Sequence, residues 1–94
     1  MNFKKSLVEF VGTYMALLAI ILAATNIPKY ISIVVGLAFF IVVFLFQDIS
    51  ANFNPAVTLM LVYLKKQPLT DLLTLVIPQI LASLAAAQTF ILMK

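Results

Sequence analysis

Three long apolar runs, at residues 6–25, 30–47 and 71–93, dominate the chain and are separated by short polar breaks. Each comes close to the roughly 20 apolar residues that a helix needs to cross a hydrocarbon core of ~30 Å. The pattern therefore predicts three transmembrane helices. The first break, Asn26-Ile27-Pro28-Lys29, puts a helix-stopping Asn, a Pro and a snorkelling Lys within four residues. It suits a tight turn between antiparallel helices.

The second break has a different composition. It is polar from Asp48 to Asn52, apolar from Phe53 to Leu64, and polar again at Lys65-Lys66-Gln67. About ten helical residues cover only ~15 Å, half of a membrane core. The spacing thus predicts a re-entrant loop and half-helix over residues 48–65. Irregular backbone at membrane depth survives only inside protein or beside a watery cavity, so a re-entrant segment implies a pore or cavity.

Composition supports a lipid environment and narrows the function. Of 94 residues, 65% are hydrophobic, far above the share in a soluble domain of this size. The mean hydropathy is +1.20. The net charge of +3 comes from six lysines and from Glu9, Asp48 and Asp71. The lysines flank the apolar runs as interfacial anchors and form no patch for nucleic acid. Lys4 and Lys5 before an apolar run also fit the start of a signal peptide, but the run is long for that role and contains Glu9. The sequence has no Cys and no His, which excludes thiol chemistry and the usual transition-metal ligand sets. It offers no phosphate-binding glycine loop and no clustered catalytic groups, so neither an enzyme nor a cofactor is expected.

Asn54-Pro55 is a strong helix start. The Asn side chain can accept from free backbone N–H groups, and Pro at the first helical position sacrifices no hydrogen bond. With its oxygen held by the cap, the Asn54 amide keeps its NH₂ free to donate into a pore. The half-helix also directs its positive dipole end to the same point, which disfavours cations. Alone, the tripeptide fits an ordinary capped interfacial helix better than a pore corner. Glu9 is the costliest residue, because an ionisable group inside a membrane helix must find partners. Gly12 and Gly36, the two glycines of the sequence, are expected to permit close helix contact. Pro78 should free the Thr74 carbonyl and bend the third helix, or mark its start if that helix is short at this end.

Four segments in order resemble the first repeat of the aquaporin and glycerol-facilitator family, and together they cover nearly the whole chain. Glu9-Phe10-Val11-Gly12-Thr13 is similar to the family's Glu-Phe-x-Gly-Thr, and Gly36-Leu37 to the glycine of its second helix. Residues 48–58, ending in Asn54-Pro55-Ala56-Val57-Thr58, resemble its His-Ile-Ser-Gly-Ala-His-x-Asn-Pro-Ala-Val-Thr loop. Gln79 to Ala87 is similar to the start of its third helix. The chain departs from the pattern in a loop one glycine shorter, in Asn52 where the family has His, in Ala82 for a packing glycine, and in Pro78.

The resemblance implies an all-α membrane fold, one half of an inverted-repeat channel, with the chain as a single half-length unit. It implies that the carbonyls of Ser50, Ala51, Asn52 and Phe53 line the pore and that Asn54 supplies the central donor. Pro55, Ala56, Val57 and Val35 would shape the constriction. Val57 stands where the family's second repeat carries Arg, and Val35 where water-selective members have an aromatic, so a wide constriction is expected. Glu9, aided by Gln79, would accept hydrogen bonds from the loop.

The expected function is passive passage of water, glycerol or a similar neutral solute across a cell membrane, with no catalytic or metal site. A second copy in inverted orientation, in up to four such pairs, or a separate second-repeat subunit would complete the pore. Lys4, Lys5, Lys65 and Lys66 against Lys29 and Lys94 give a weak topological bias that suits two orientations. The alternatives are a small proton-coupled transporter using Glu9 and a non-conducting fragment that associates with another channel.

Overall fold

A computed structural model of the chain describes residues 2–93 and contains helices only among them. Helix α1 spans Phe3–Asn26 and is followed by one 3₁₀ turn, Pro28–Tyr30, and by α2, Ile31–Phe46. After an irregular stretch come the short helix α3, Pro55–Tyr63, and α4, Asp71–Leu92. Three segments, Phe3–Asn26, Pro28–Phe46 and Asp71–Leu92, are long and apolar enough to cross a membrane. The protein is thus an all-α membrane protein. Helix α1 starts earlier than its apolar run, because Asn2 caps it by accepting from the Lys5 N–H at 3.1 Å. It carries Lys4 and Lys5 within its first turn.

Helix α3 closes with a Schellman turn. The Lys66 N–H bonds the Leu61 carbonyl at 2.9 Å and the Lys65 N–H bonds that of Val62 at 3.0 Å. Lys65 takes the left-handed conformation, φ 61°, that this turn demands and that Gly usually supplies. The reversal brings Gln67 back alongside α3. Four contacts between α1 and α4 run in the same sequence direction on both helices, so the two are parallel: Lys5 with Asp71, Ser6 with Thr74, Glu9 with Gln79, and Tyr14 with Thr89. Helix α2, joined to α1 by the short 3₁₀ turn, runs the other way. Lys4, Lys5, Lys65 and Lys66 therefore share one end of the bundle and Lys29 occupies the other; Lys94 lies outside the described residues.

The buried positions of α4, Asp71, Thr74, Leu75, Gln79, Ala82 and Ala86, form one stripe at three- and four-residue spacing. Ala82 is fully buried there, so a methyl group suffices where the family pattern has glycine. Pro78 sits within α4 and cannot bond the Thr74 carbonyl four residues back. Ser6 of α1 fills that gap, its hydroxyl donating to the Thr74 carbonyl at 2.8 Å. One turn away, the Lys5 ammonium stands 3.8 Å from the Asp71 carboxylate. A helix defect thereby becomes an attachment point between the first turns of α1 and α4.

Helix α2 turns Ala38, Phe39, Val42 and Phe46 to the core and leaves Ile33, Leu37, Phe40, Ile41, Phe44 and Leu45 exposed. Gly36 lies on the exposed side, where a methyl group in place of its hydrogen would meet nothing within 4 Å. The expected helix contact at Gly36 is therefore not made within this chain, because Gly36 falls one position past Val35, about 100° off the inward face. Ser6→Ala should leave the Thr74 carbonyl without a partner and cost about 1–2 kcal/mol. Pro78→Ala in the same background should recover most of that by restoring the helical N–H. Denaturant titration of the detergent-solubilised protein measures both.

Candidate functional site

The loop between α2 and α3 is organised around one carboxylate. Glu9, fully buried on α1, accepts four hydrogen bonds, two on each oxygen. The Ser50 hydroxyl and the Asn52 N–H reach Oε2 at 2.5 and 2.9 Å. The Phe53 N–H and the Gln79 amide reach Oε1 at 2.7 and 2.8 Å. An ionised carboxylate has about four lone-pair sites, and here each has a donor. The sequence supplies this by placing a Glu two turns into α1 and a Gln on the buried stripe of α4.

Phe53 is held in an unusual state. Its φ is 53°, the left-handed region that a bulky residue enters at a cost of about 1–3 kcal/mol. Two features offset this. Its N–H is bonded to Glu9, and its ring, only 3% exposed, occupies the space beside Gly12. A Cβ on Gly12 would collide with that ring. Gly12 thus admits an aromatic from the loop, where helix contact alone was expected. Phe46 of α2 meets the same ring edge-on at 6.2 Å.

The left-handed residue redirects the chain into α3. Asn54 caps it, Oδ1 accepting the Ala56 N–H at 2.8 Å, and Pro55 takes the first helical position. The Asn54 side chain is exposed, and its NH₂ group donates to none of the described residues. The carbonyls of Ser50, Ala51, Asn52 and Phe53 likewise accept from none of them. Consecutive free acceptors thus lead to a free donor.

Further polar contacts hold the two ends of α3. The buried Thr58 hydroxyl accepts from Asn52 Nδ2 at 3.0 Å and from Gln79 Nε2 at 3.3 Å. Asn52 and Gln67 form a reciprocal amide pair, Nδ2 to Oε1 at 2.9 Å and Nε2 to Oδ1 at 3.2 Å. This explains Asn52 in place of the family's His: its planar amide matches the amide that the Schellman turn returns to it. Nothing in the local sequence advertises Gln67, which is 15 residues away.

Beyond the corner lies an open recess of about 270 Å³, where Thr13, Ser83 and Gln79 stand with Asn54 and Pro55, and Leu17, Phe39, Phe53 and Ile80 supply the apolar wall. Thr13 is about 15 Å along α1, and Ser83 about 18 Å along α4, at 1.5 Å per residue. The corner therefore sits near mid-depth of the spanning helices. Val57 is half-buried on α3, and Val35 half-buried on α2; neither lines the recess. Phe39, one turn along α2 from Val35, does so instead. Its signal was available in the three- and four-residue spacing of Val35, Ala38, Phe39, Val42 and Phe46.

A family model described as Major intrinsic protein matches residues 1–94. The chain belongs to the major intrinsic protein family. No curated protein and no solved structure matches the chain significantly. Major intrinsic proteins are channels for water or small solutes and are not enzymes, and this member is an integral, multi-pass membrane protein surrounded by lipid.

In this major intrinsic protein the Gly12–Phe53 contact is a steric constraint on the corner. Gly12→Ala should push the Phe53 ring out of its slot and destabilise the protein by about 1–3 kcal/mol, as overpacking does. Gly12→Ala with Phe53→Leu should be milder than Gly12→Ala alone. Thermal unfolding of the wild type and the two variants in detergent tests this.

Proposed function

We propose that the chain forms one half of a passive pore for water or a small neutral solute, completed at the Asn54 corner by a second copy in inverted orientation. The observation that carries this reading is the free Asn54 NH₂ at mid-depth, beside a recess and at the end of four unpaired carbonyls. A neutral solute moving along such a path exchanges acceptors for a donor and loses little hydration free energy. Helix α3, with nine residues, spans about 14 Å, so one copy supplies half a path. Pro55, Ala56, Leu59, Met60 and Tyr63 leave one flank of α3 exposed for the other half. Inverted repeats meeting at mid-membrane are a common way to build such a site.

An inverted pair places its two-fold axis in the membrane plane and sets two Asn54 residues face to face. It needs both insertion orientations, which the modest lysine bias allows. Four such pairs in a cell membrane would repeat the assembly of the family, and a separate second-repeat chain is the other way to finish the pore. A wide constriction follows if Val35 and Val57 both flank the path. The four donors gathered on the Glu9 carboxylate support a structural role for it over proton-coupled transport.

Stopped-flow swelling of proteoliposomes tests the function. The protein should accelerate water or glycerol flux with no dependence on a proton gradient. Asn54→Asp, which replaces the free donor by an acceptor, should lower flux about tenfold, the equivalent of one good hydrogen bond. Flux that requires a proton gradient would overturn the channel reading. Accessibility of tags at both ends of the chain tests the pairing, since one uniform orientation would rule out the homodimeric pore.

A further inference from the structure

Val35 is the position on α2 that the family resemblance marks for selectivity, yet the recess beside Asn54 is walled on the α2 side by Phe39. Phe39 belongs to the inward face of α2, with Ala38 and Phe46, and packs against the core cluster that contains Val42 and Phe53. Its ring packs on that cluster and on another side borders an open groove lined by Phe40, Val43, Phe44 and Gln47. Val35 lies four residues away, about 6 Å along the helix axis, and takes no part in the recess.

The recess is lined by polar and apolar groups together. Asn54 provides a free donor, and Thr13 and Ser83 carry hydroxyls, whereas Leu17, Phe39 and Ile80 are apolar. A water molecule needs only the polar groups. A polyol must also fit its carbon chain past the Phe39 ring. Shape discrimination in an apolar pocket is steep, with one methylene worth about tenfold or more.

We infer that Phe39 is the specificity-determining residue of this pore, narrowing it beside Asn54 so that water passes in preference to glycerol-sized solutes. The inference rests on the channel reading above and deepens it. In an inverted pair each copy contributes its own ring, so the path is narrowed once on either side of the paired Asn54 residues. This replaces the wide constriction expected from Val35 by a tighter one nearer the centre.

The test is the ratio of glycerol to water permeability of the full chain in proteoliposomes. Phe39→Val should raise that ratio about tenfold, and Phe39→Leu, which preserves more of the packing against Val42 and Phe53, should raise it by less. Phe39→Trp should lower glycerol flux more than water flux. Val35→Ala should change the ratio by less than about twofold. Phe39 variants that conduct with an unchanged ratio, or a Val35→Ala shift as large as that of Phe39→Val, would overturn the inference while leaving the channel intact. A wild-type protein that inserts but conducts neither water nor glycerol would overturn both together.

Discussion

The Glu9 carboxylate is the point to which the irregular half of this protein is tied. A loop that enters a membrane protein exposes backbone N–H groups that neither helix nor sheet can satisfy, and each left alone is costly in a medium without water. Glu9 takes two of them, from Asn52 and Phe53, and adds the Ser50 hydroxyl. The same arrangement offsets the cost of burying the carboxylate, and Gln79 supplies the fourth donor from α4. Carboxylate and loop are each untenable without the other. With the N–H groups turned inward to Glu9, the carbonyls of the same peptides are left to face away from it.

Around that point the remaining contacts act as a frame that fixes direction. The left-handed Phe53 turns the chain sharply into α3, and its ring is kept in place by the missing side chain at Gly12 and the edge of Phe46. Thr58 joins Asn52 to Gln79, and Gln67 closes on Asn52 from the far end of the half-helix. At the same end of the bundle, Ser6 and Lys5 fasten α1 to α4 where Pro78 has opened the helix. Such polar contacts in an apolar chain have few competing partners. They specify one register for α1 against α4, which apolar packing of Leu, Ile and Ala side chains would leave poorly defined.

The outer face of the molecule has an opposite character. Helix α2 exposes Ile33, Leu37, Phe40, Ile41, Phe44 and Leu45, and α3 exposes Leu59, Met60 and Tyr63. In water this would drive aggregation; in lipid or against another copy it is a neutral or favourable surface. The buried polar contacts and the apolar exterior together place much of the structural information of the protein in the few side chains around the corner.

Much of this was readable from the residues. Apolar run lengths determine three spanning helices, because bilayer thickness fixes how many residues a helix must contribute. Asn54-Pro55 determines where α3 begins, because cap and proline are local effects, and Pro78 frees Thr74 by the same local rule. What the sequence left open are pairings across many residues, where no periodicity links the partners. Ser6 with Thr74, Asn52 with Gln67, and the ring of Phe53 over Gly12 exist only once α1, α4 and the loop are brought together. Gly36 shows the converse: a glycine in a spanning helix marks contact only if rotation of the helix turns it inward, and α2 is rotated so that Phe39 faces the corner and Gly36 faces out. Local chemistry thus set the elements and their ends, whereas helix rotation and long-range hydrogen bonding, which only the packed tertiary structure defines, decided which side chains stand at the corner.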